Sequence, residues 1–337
     1  AYALREMLQN TTQVAAKQFS WYDTGTLDNL KKAREIFVKK NAPNILEKPN
    51  EAIWFVNNRV IKYHSDKTFI SGRVERAKEL RGYVPIVTEH YNNLYSYRML
   101  PGQVISKVTN YEVFKNLLNY LEDFWSPVEL TEQQENRFID ICDKFYKEKT
   151  EKRVQLYFDR FSEIDTTEVI NGTTVPPLSQ LLKRVPWASL IRGSATRMHG
   201  DLHFENILVD ETGEFCLLDW RQNFGGLLEY GDLYYDFAKL LHGLIVSHEL
   251  VKRECYSISH MGNIITYDLH RKHSLIENEA QFIEFLRHRG HDVYKVRLLT
   301  ALIFLNIAPL HHYPYSKMLF YLGKESLYRL LEDGHDS

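Results

Sequence analysis

The sequence predicts an α+β protein in two lobes, a small β-rich N-terminal lobe and a larger helical C-terminal lobe. Three observations lead there. Between residues 51 and 99, short β-branched and aromatic runs alternate with turn residues. From about residue 103 onward apolar residues recur mostly at helical spacing. The 337 residues also exceed the roughly 250–300 at which a single core stops growing.

Taken in order, residues 1–40 read as a helical N-terminal segment, in which residues 27–38 carry Leu30, Ala33, Ile36 and Phe37 on one face behind Asp28 as N-cap. Asn41-Ala42-Pro43 ends it. Ala1 rather than Met stands first, as in a fragment excised from a longer chain. Residues 41–102 form the expected N-lobe. Runs at 52–56 and 59–63 flank Asn57-Asn58, and asparagine tolerates the positive φ of a tight hairpin turn. Lys62 sits on the second strand. A helix is predicted over 67–80, carrying Phe69, Ile70, Val74, Ala77 and Leu80 with Glu75 near its middle, followed by strands at 86–89 and 94–99. Leu100-Pro101-Gly102 closes the lobe. Residues 103–337 form the C-lobe, with helices predicted at about 110–124, 131–161, 177–184, 232–246, 277–289 and 293–308. Within it, apolar runs at 207–209 and 215–218 flank the turn Asp210-Glu211-Thr212-Gly213 as a second hairpin.

Composition narrows the function classes. With 42 basic and 44 acidic side chains the net charge is −2, so no overall field draws the chain to nucleic acid, and an anionic ligand must be held locally. Cys142, Cys216 and Cys255 lie too far apart for a disulfide framework or a zinc spacing, which fits a reducing, cytoplasmic setting. No run approaches about 18 uninterrupted apolar residues, so no membrane span is expected. Asn10-Thr11-Thr12 and Asn171-Gly172-Thr173 match the glycosylation pattern, which carries no meaning in a cytoplasmic protein.

The chemistry concentrates in Met198-His199-Gly200-Asp201-Leu202-His203-Phe204-Glu205-Asn206-Ile207-Leu208, just ahead of the hairpin that ends in Leu218-Asp219-Trp220. An Asp and an Asn five positions apart is the spacing of the protein-kinase catalytic loop, where the Asp receives the acceptor proton and the Asn binds magnesium. Phosphoryl transfer needs this set because its transition state spreads negative charge over oxygens, and magnesium prefers hard oxygen ligands. Asp201 is then the candidate catalytic residue, and Asn206 and Asp219 the candidate metal ligands.

This run, followed by Leu217-Leu218-Asp219-Trp220, resembles the aminoglycoside phosphotransferase and choline kinase family, whose fold is protein-kinase-like. Gly231-Asp232-Leu233-Tyr234-Tyr235-Asp236-Phe237-Ala238-Lys239-Leu240 is similar to the segment that follows the metal Asp in that family. The resemblance implies ATP or GTP and Mg2+ as cofactors, Lys62 as the nucleotide lysine with Glu75 as its partner, and a base-binding hinge at Met99 and Leu100. One departure is that Leu46-Glu47-Lys48-Pro49-Asn50-Glu51 lacks the glycine with which many relatives cover the phosphates. More faintly, Trp21-Tyr22-Asp23-Thr24-Gly25-Thr26-Leu27-Asp28-Asn29-Leu30 resembles the closing segment of sugar-phosphate nucleotidyltransferases. That implies a fused or partner nucleotidyltransferase and a role in surface-polysaccharide precursor synthesis.

Other residues have plainer explanations. His199 is assigned to shaping the loop, and His203, His311 and His312 lack zinc-like spacing. Asp232 suits the N-cap of the helix after it, with acceptor binding by Asp232 and Asp236 as the alternative. The 21 tyrosines and 18 phenylalanines are mostly core, and no cation cage can be named. The expected function is transfer of a γ-phosphoryl group to a hydroxyl of a small-molecule acceptor, a sugar, polyol or amino alcohol. A non-catalytic nucleotide-binding module and an aminoglycoside antibiotic kinase are the alternatives.

Overall fold

Asn57 and Asn58 both adopt left-handed backbone, with φ of 49° and 60°, and their turn starts the first sheet of the computed structural model, which describes residues 50–334 together with Thr26 and Asn29. Strands β1 (Glu51–Val56) and β2 (Arg59–His64) pair antiparallel through Val56 and Arg59. Asp66 then caps helix α1 (Lys67–Glu79) by accepting from the Thr68 amide. The turn at Asn92, φ 47°, joins β3 (Val87–Tyr91) to β4 (Leu94–Arg98), and the sheet order is β1-β2-β4-β3. Alternation on β2 buries Val60 and Lys62 on one face and exposes Arg59 and Tyr63. Lys62 is thereby turned inward, toward α1.

Gly102 makes the crossing to the second lobe possible. Its φ is +122°, and a Cβ there would lie 2.5 Å from the Val209 carbonyl oxygen. That close approach lets β5 (Gln103–Val104) pair with β9 (Ile207–Val209), which forms a hairpin with β10 (Phe215–Leu217). Helices α2 (Ile105–Val108) and α3 (Tyr111–Phe124) lead to α4 (Glu132–Asp143), a π-helical turn at Lys144–Glu148, and α5 (Lys149–Phe161). Strands β6 (Glu168–Ile170) and β7 (Thr173–Val175) precede α6 (Leu178–Arg184), α7 (Trp187–Leu190) and β8 (Ala195–Thr196). After the β9–β10 hairpin, β11 (Gly231–Asp232) pairs with β8 and leads into α8 (Leu233–Ile245). The chain finishes with α9 (His248–Lys252), β12 (Tyr256–Met261), β13 (Ile264–Leu269), α10 (His273–His288), α11 (Val293–Ile307) and α12 (Tyr315–Asp333).

Two apolar clusters hold this together. One joins the lobes through Val60, Ile70 and Tyr95 above Leu117, Trp220 and Phe282; the other packs α4, α5, α11 and α12 around the sheet β12-β13-β6-β7. Helix α11 lies within an 18-residue window apolar enough to cross a membrane, yet 83% of that window is buried inside the fold, as in a core helix.

The structure adds elements beyond those predicted. Asn171-Gly172, read from sequence as a glycosylation pattern, is the β6–β7 hairpin turn with φ of 47° and 83°. The β12–β13 hairpin and α12 are also additions. Most of the N-terminal segment, including the glycine-free stretch before β1, lies outside the described residues. Within it, the Asn29 amide donates to Thr26 Oγ1 at 3.2 Å, and the Asp28 cap expected from sequence lies outside the described residues.

Candidate active site

The loop between β8 and β9 is fixed from both sides of its backbone. On one side Asp236, fully buried in the first turns of α8, accepts the amides of His199 and Gly200 at 2.7 Å each and the Trp125 indole N–H at 3.2 Å. On the other, the buried guanidinium of Arg76 from α1 donates to the carbonyls of Met198, Leu228 (2.7 Å) and Arg221 (3.2 Å). Buried polar groups are tolerated when paired in this way. Gly200 needs its φ of +86°, and a Cβ there would sit 2.6 Å from Arg221 Cβ. Burial raises the Asp236 carboxyl to about 6 against the pull of these donors. Asp232 caps α8, accepting from the amides of Ser194 and Tyr234 and from the Tyr146 hydroxyl. Neither aspartate is therefore free for an acceptor.

His199 is wholly buried and neutral, its pKa lowered to about 4 chiefly by desolvation. Its Nδ1 accepts the Asp201 amide at 3.3 Å, so Nε2 carries the proton and donates to the Leu218 carbonyl at 2.9 Å. The histidine ties the loop to the hairpin. Asn206 turns its amide nitrogen to the Asp201 carbonyl oxygen (2.9 Å), His203 Nε2 (3.1 Å) and Asp201 Oδ2 (3.4 Å). This use of Nδ2 leaves Oδ1 as the atom able to meet a hard cation. The hairpin then returns Asp219 to the loop, because the Leu218 amide donates to the Asn206 carbonyl at 2.7 Å. Asp219 has φ +61°, a conformation seldom adopted outside glycine and asparagine and often found at functional positions.

Asp219 gathers two cations. Lys62 Nζ lies 2.6 Å from its Oδ1, and Arg73 of α1 contacts the same oxygen. Burial, the largest single influence, pulls both cations toward the neutral form, but Asp219 together with Tyr95 and other neighbouring groups outweighs it and both pKa values are raised. Asp201 has its own cation in Lys239 of α8, with Nζ 2.7 Å from Oδ1. Here too burial is the largest influence, and the charge and hydrogen bond of Asp201 with the help of Tyr235 overcome it and raise the lysine.

The structure thus brings Asp201, Asn206, Asp219 and Lys62 together and leaves Glu75 out. Glu75 is exposed and pairs with Lys78 at 2.7 Å on the outer face of α1. The expected Lys62–Glu75 pair is corrected to Lys62–Asp219, because Arg73 and Arg76 occupy the inward turns of the helix. Met99 and Leu100, expected from the resemblance to form a base-binding hinge, follow β4. The Met99 amide is committed to the Asn58 carbonyl at 2.9 Å, whereas no backbone partner takes the Leu100 amide among the described residues. Arg73, Arg76 and Lys239 are site residues that the sequence reading did not assign, and Asp236, considered there for acceptor binding, instead holds the loop amides.

Comparisons with known proteins agree with this architecture. A model of the phosphotransferase enzyme family matches residues 163–253, the span holding the loop, the hairpin and α8. No curated protein matches by sequence. Among solved structures, a thermostable mutant of the aminoglycoside phosphotransferase APH(4)-Ia, in ternary complex with ADP and hygromycin B, aligns at 12% identity with a TM-score of 0.51. That alignment covers 91% of this chain and 99% of the other. A choline kinase from Cryptosporidium parvum Iowa II aligns at 12% identity over 87% of this chain and 90% of its own, with a TM-score of 0.47. At such identities the likeness is one of fold. The segment that carries the site, residues 163–253, thus matches the phosphotransferase enzyme family model, and the fold of the described residues is similar to that of an aminoglycoside phosphotransferase.

Proposed function

We propose that this phosphotransferase moves the γ-phosphoryl group of ATP, with GTP as the alternative donor, to a hydroxyl of a small molecule of the sugar, polyol or amino alcohol class. What carries the reading is that a carboxylate, an amide oxygen and a second carboxylate are held on one loop and hairpin, with a lysine from the other lobe on the second carboxylate. Asp201 receives or orients the acceptor's hydroxyl proton as the new O–P bond forms. Lys239 fixes Asp201 through Oδ1. Lys62 and Arg73 place positive charge where the nucleotide's phosphates are expected, and the Leu100 amide, which has no backbone partner among the described residues, can donate to the base.

The donor set fits Mg2+, since Asn206 Oδ1 and the Asp219 carboxylate are hard oxygens. Bound there, the ion would neutralise charge on phosphate oxygens. The finer assignment to surface-polysaccharide precursors and a cytoplasmic setting has support only from the Trp21 to Leu30 resemblance and from composition.

Incubation with ATP and a panel of hydroxyl compounds, followed by phosphorus NMR, is expected to show a phosphate monoester. A second reading, a non-catalytic nucleotide-binding module, has in its favour that among the described residues Lys62 pairs with an aspartate and not with a glutamate. Nucleotide binding without hydrolysis or transfer to any acceptor would support the module instead.

A further inference from the structure

Close to the candidate catalytic loop, basic side chains collect around one aromatic ring, Phe145. The π-helical turn at Lys144–Glu148 hands the chain to α5, and π turns within helices are frequent at functional positions. Phe145, Lys149 and Arg153 follow at four-residue steps and so share a face. Lys149 Nζ lies 4.0 Å from the Phe145 ring centre and 5.5 Å from that of Tyr235, and the Arg221 guanidinium lies 4.9 Å from the same Phe145 ring. Arg221 also packs against Gly200, next to Asp201. Tyr235 stands 4.9 Å from Phe145, and one turn further along α8 Lys239 reaches Asp201. A wall of four cations therefore runs from the candidate catalytic carboxylate outward.

Counter-charge is confined to its inner end, where Asp201 pairs with Lys239. Lys149, Arg153 and Arg221 form no ion pair among the described residues. The acids nearby are engaged elsewhere, Glu148 with Lys152 and Asp232 with Tyr146 and two amides. Burial, followed by repulsion from Arg221, Lys239 and Arg153, drives Lys149 well below its usual range, and Arg153 is lowered by burial and by Arg221. Mutually repelling, half-buried cations are stabilised by an anion lying among them. Lys62 and Arg73 already attend the Asp219 side. A polycationic or quaternary-ammonium acceptor would instead meet like charge beside Asp201.

We propose that the acceptor is an anionic polyol, carrying a phosphate or carboxylate besides the hydroxyl that is phosphorylated, and that Lys149, Arg153 and Arg221 hold that anionic group. This rests on the phosphotransferase reading above and adds the substrate class. Upstream, a reaction that phosphorylates or oxidises a polyol must supply the acceptor.

Two arms test it. In turnover with ATP, glycerol is compared with glycerol 3-phosphate, glycerate and choline, and ribitol with ribitol 5-phosphate. At least one anionic compound is expected to exceed its neutral parent about 100-fold in kcat/KM, with choline poorest, and phosphate against carboxylate is read directly. Lys149→Met and Arg153→Met are expected to raise that acceptor's KM about tenfold or more while leaving the ATP KM unchanged. In the second arm, inorganic phosphate and glycerol 3-phosphate are titrated calorimetrically into the Asp201→Asn protein. Their binding is expected to be lost on adding Lys149→Met and kept on adding Lys62→Met. A preference for a neutral or cationic acceptor, or anion affinity that follows Lys62 rather than Lys149, would overturn the proposal. Anion binding that follows Lys149 without phosphoryl transfer would contradict only the phosphotransferase reading.

Discussion

Arg73 occupies the position on α1 from which a glutamate was expected to hold Lys62, and the reason is the phase of the helix. At about 100° per residue, Ile70, Arg73, Val74 and Ala77 fall on one face and Glu75 lies roughly 140° from Ile70. The apolar positions that predicted the helix therefore already held the information that Glu75 points outward. Two substitutions separate the roles. Glu75→Ala is expected to change the ATP KM by less than about twofold, because its partner is an exposed Lys78. Arg73→Ala is expected to raise that KM about tenfold or more, since a nearly buried cation at the phosphates is lost. Steady-state kinetics on the two folded proteins checks both.

The elements most legible in the sequence were those whose turn chemistry and periodicity agree. Asn57-Asn58 and the Asp210 to Gly213 turn gave both hairpins, and the 131–161 periodicity gave α4 and α5, though not the π turn between them, which shifts the phase without breaking the apolar pattern. The sheet β12-β13-β6-β7 was not legible because its two hairpins lie about 90 residues apart and pair through tertiary contact, and because Asn171-Gly172 matched a modification pattern as well as a turn. In the site, Asp201, Asn206 and Asp219 could be found by spacing. Asp236 and Lys239 could not, because their partners come from a different stretch of chain. The junction between lobes depends on one residue's lack of a side chain. Gly102→Ala would press a Cβ onto the Val209 carbonyl at positive φ, and is expected to cost about 2–4 kcal/mol, read from the denaturation midpoint.

Across the whole molecule, buried neutral histidines couple folding to pH. Burial lowers His199 to about 4 and His248 to about 3, and holds His242 well below its ordinary value. With folded pKa values below the unfolded value near 6.5, the unfolded chain binds more protons between about pH 6.5 and 4. Stability is thus fully present above pH 6.5 and falls as the pH drops, by up to about 1.4 kcal/mol per pH unit for each histidine. Asp236, raised to about 6, acts in the opposite sense below that pH, but the three histidines outnumber it. A thermal-melting series from pH 8 to 4.5 is expected to show a plateau above about 6.5 and a steady decline below it.

The account centres on Asp201 as the group at the acceptor hydroxyl. Its most direct test is turnover of the Asp201→Asn protein, with nucleotide affinity and the melting curve measured on the same sample. The predicted result is a loss of kcat of about 100-fold or more with nucleotide binding and folding retained, since the replacement keeps the shape and removes the base. A folded Asp201→Asn protein that transfers phosphoryl groups at near-normal rate would contradict the account.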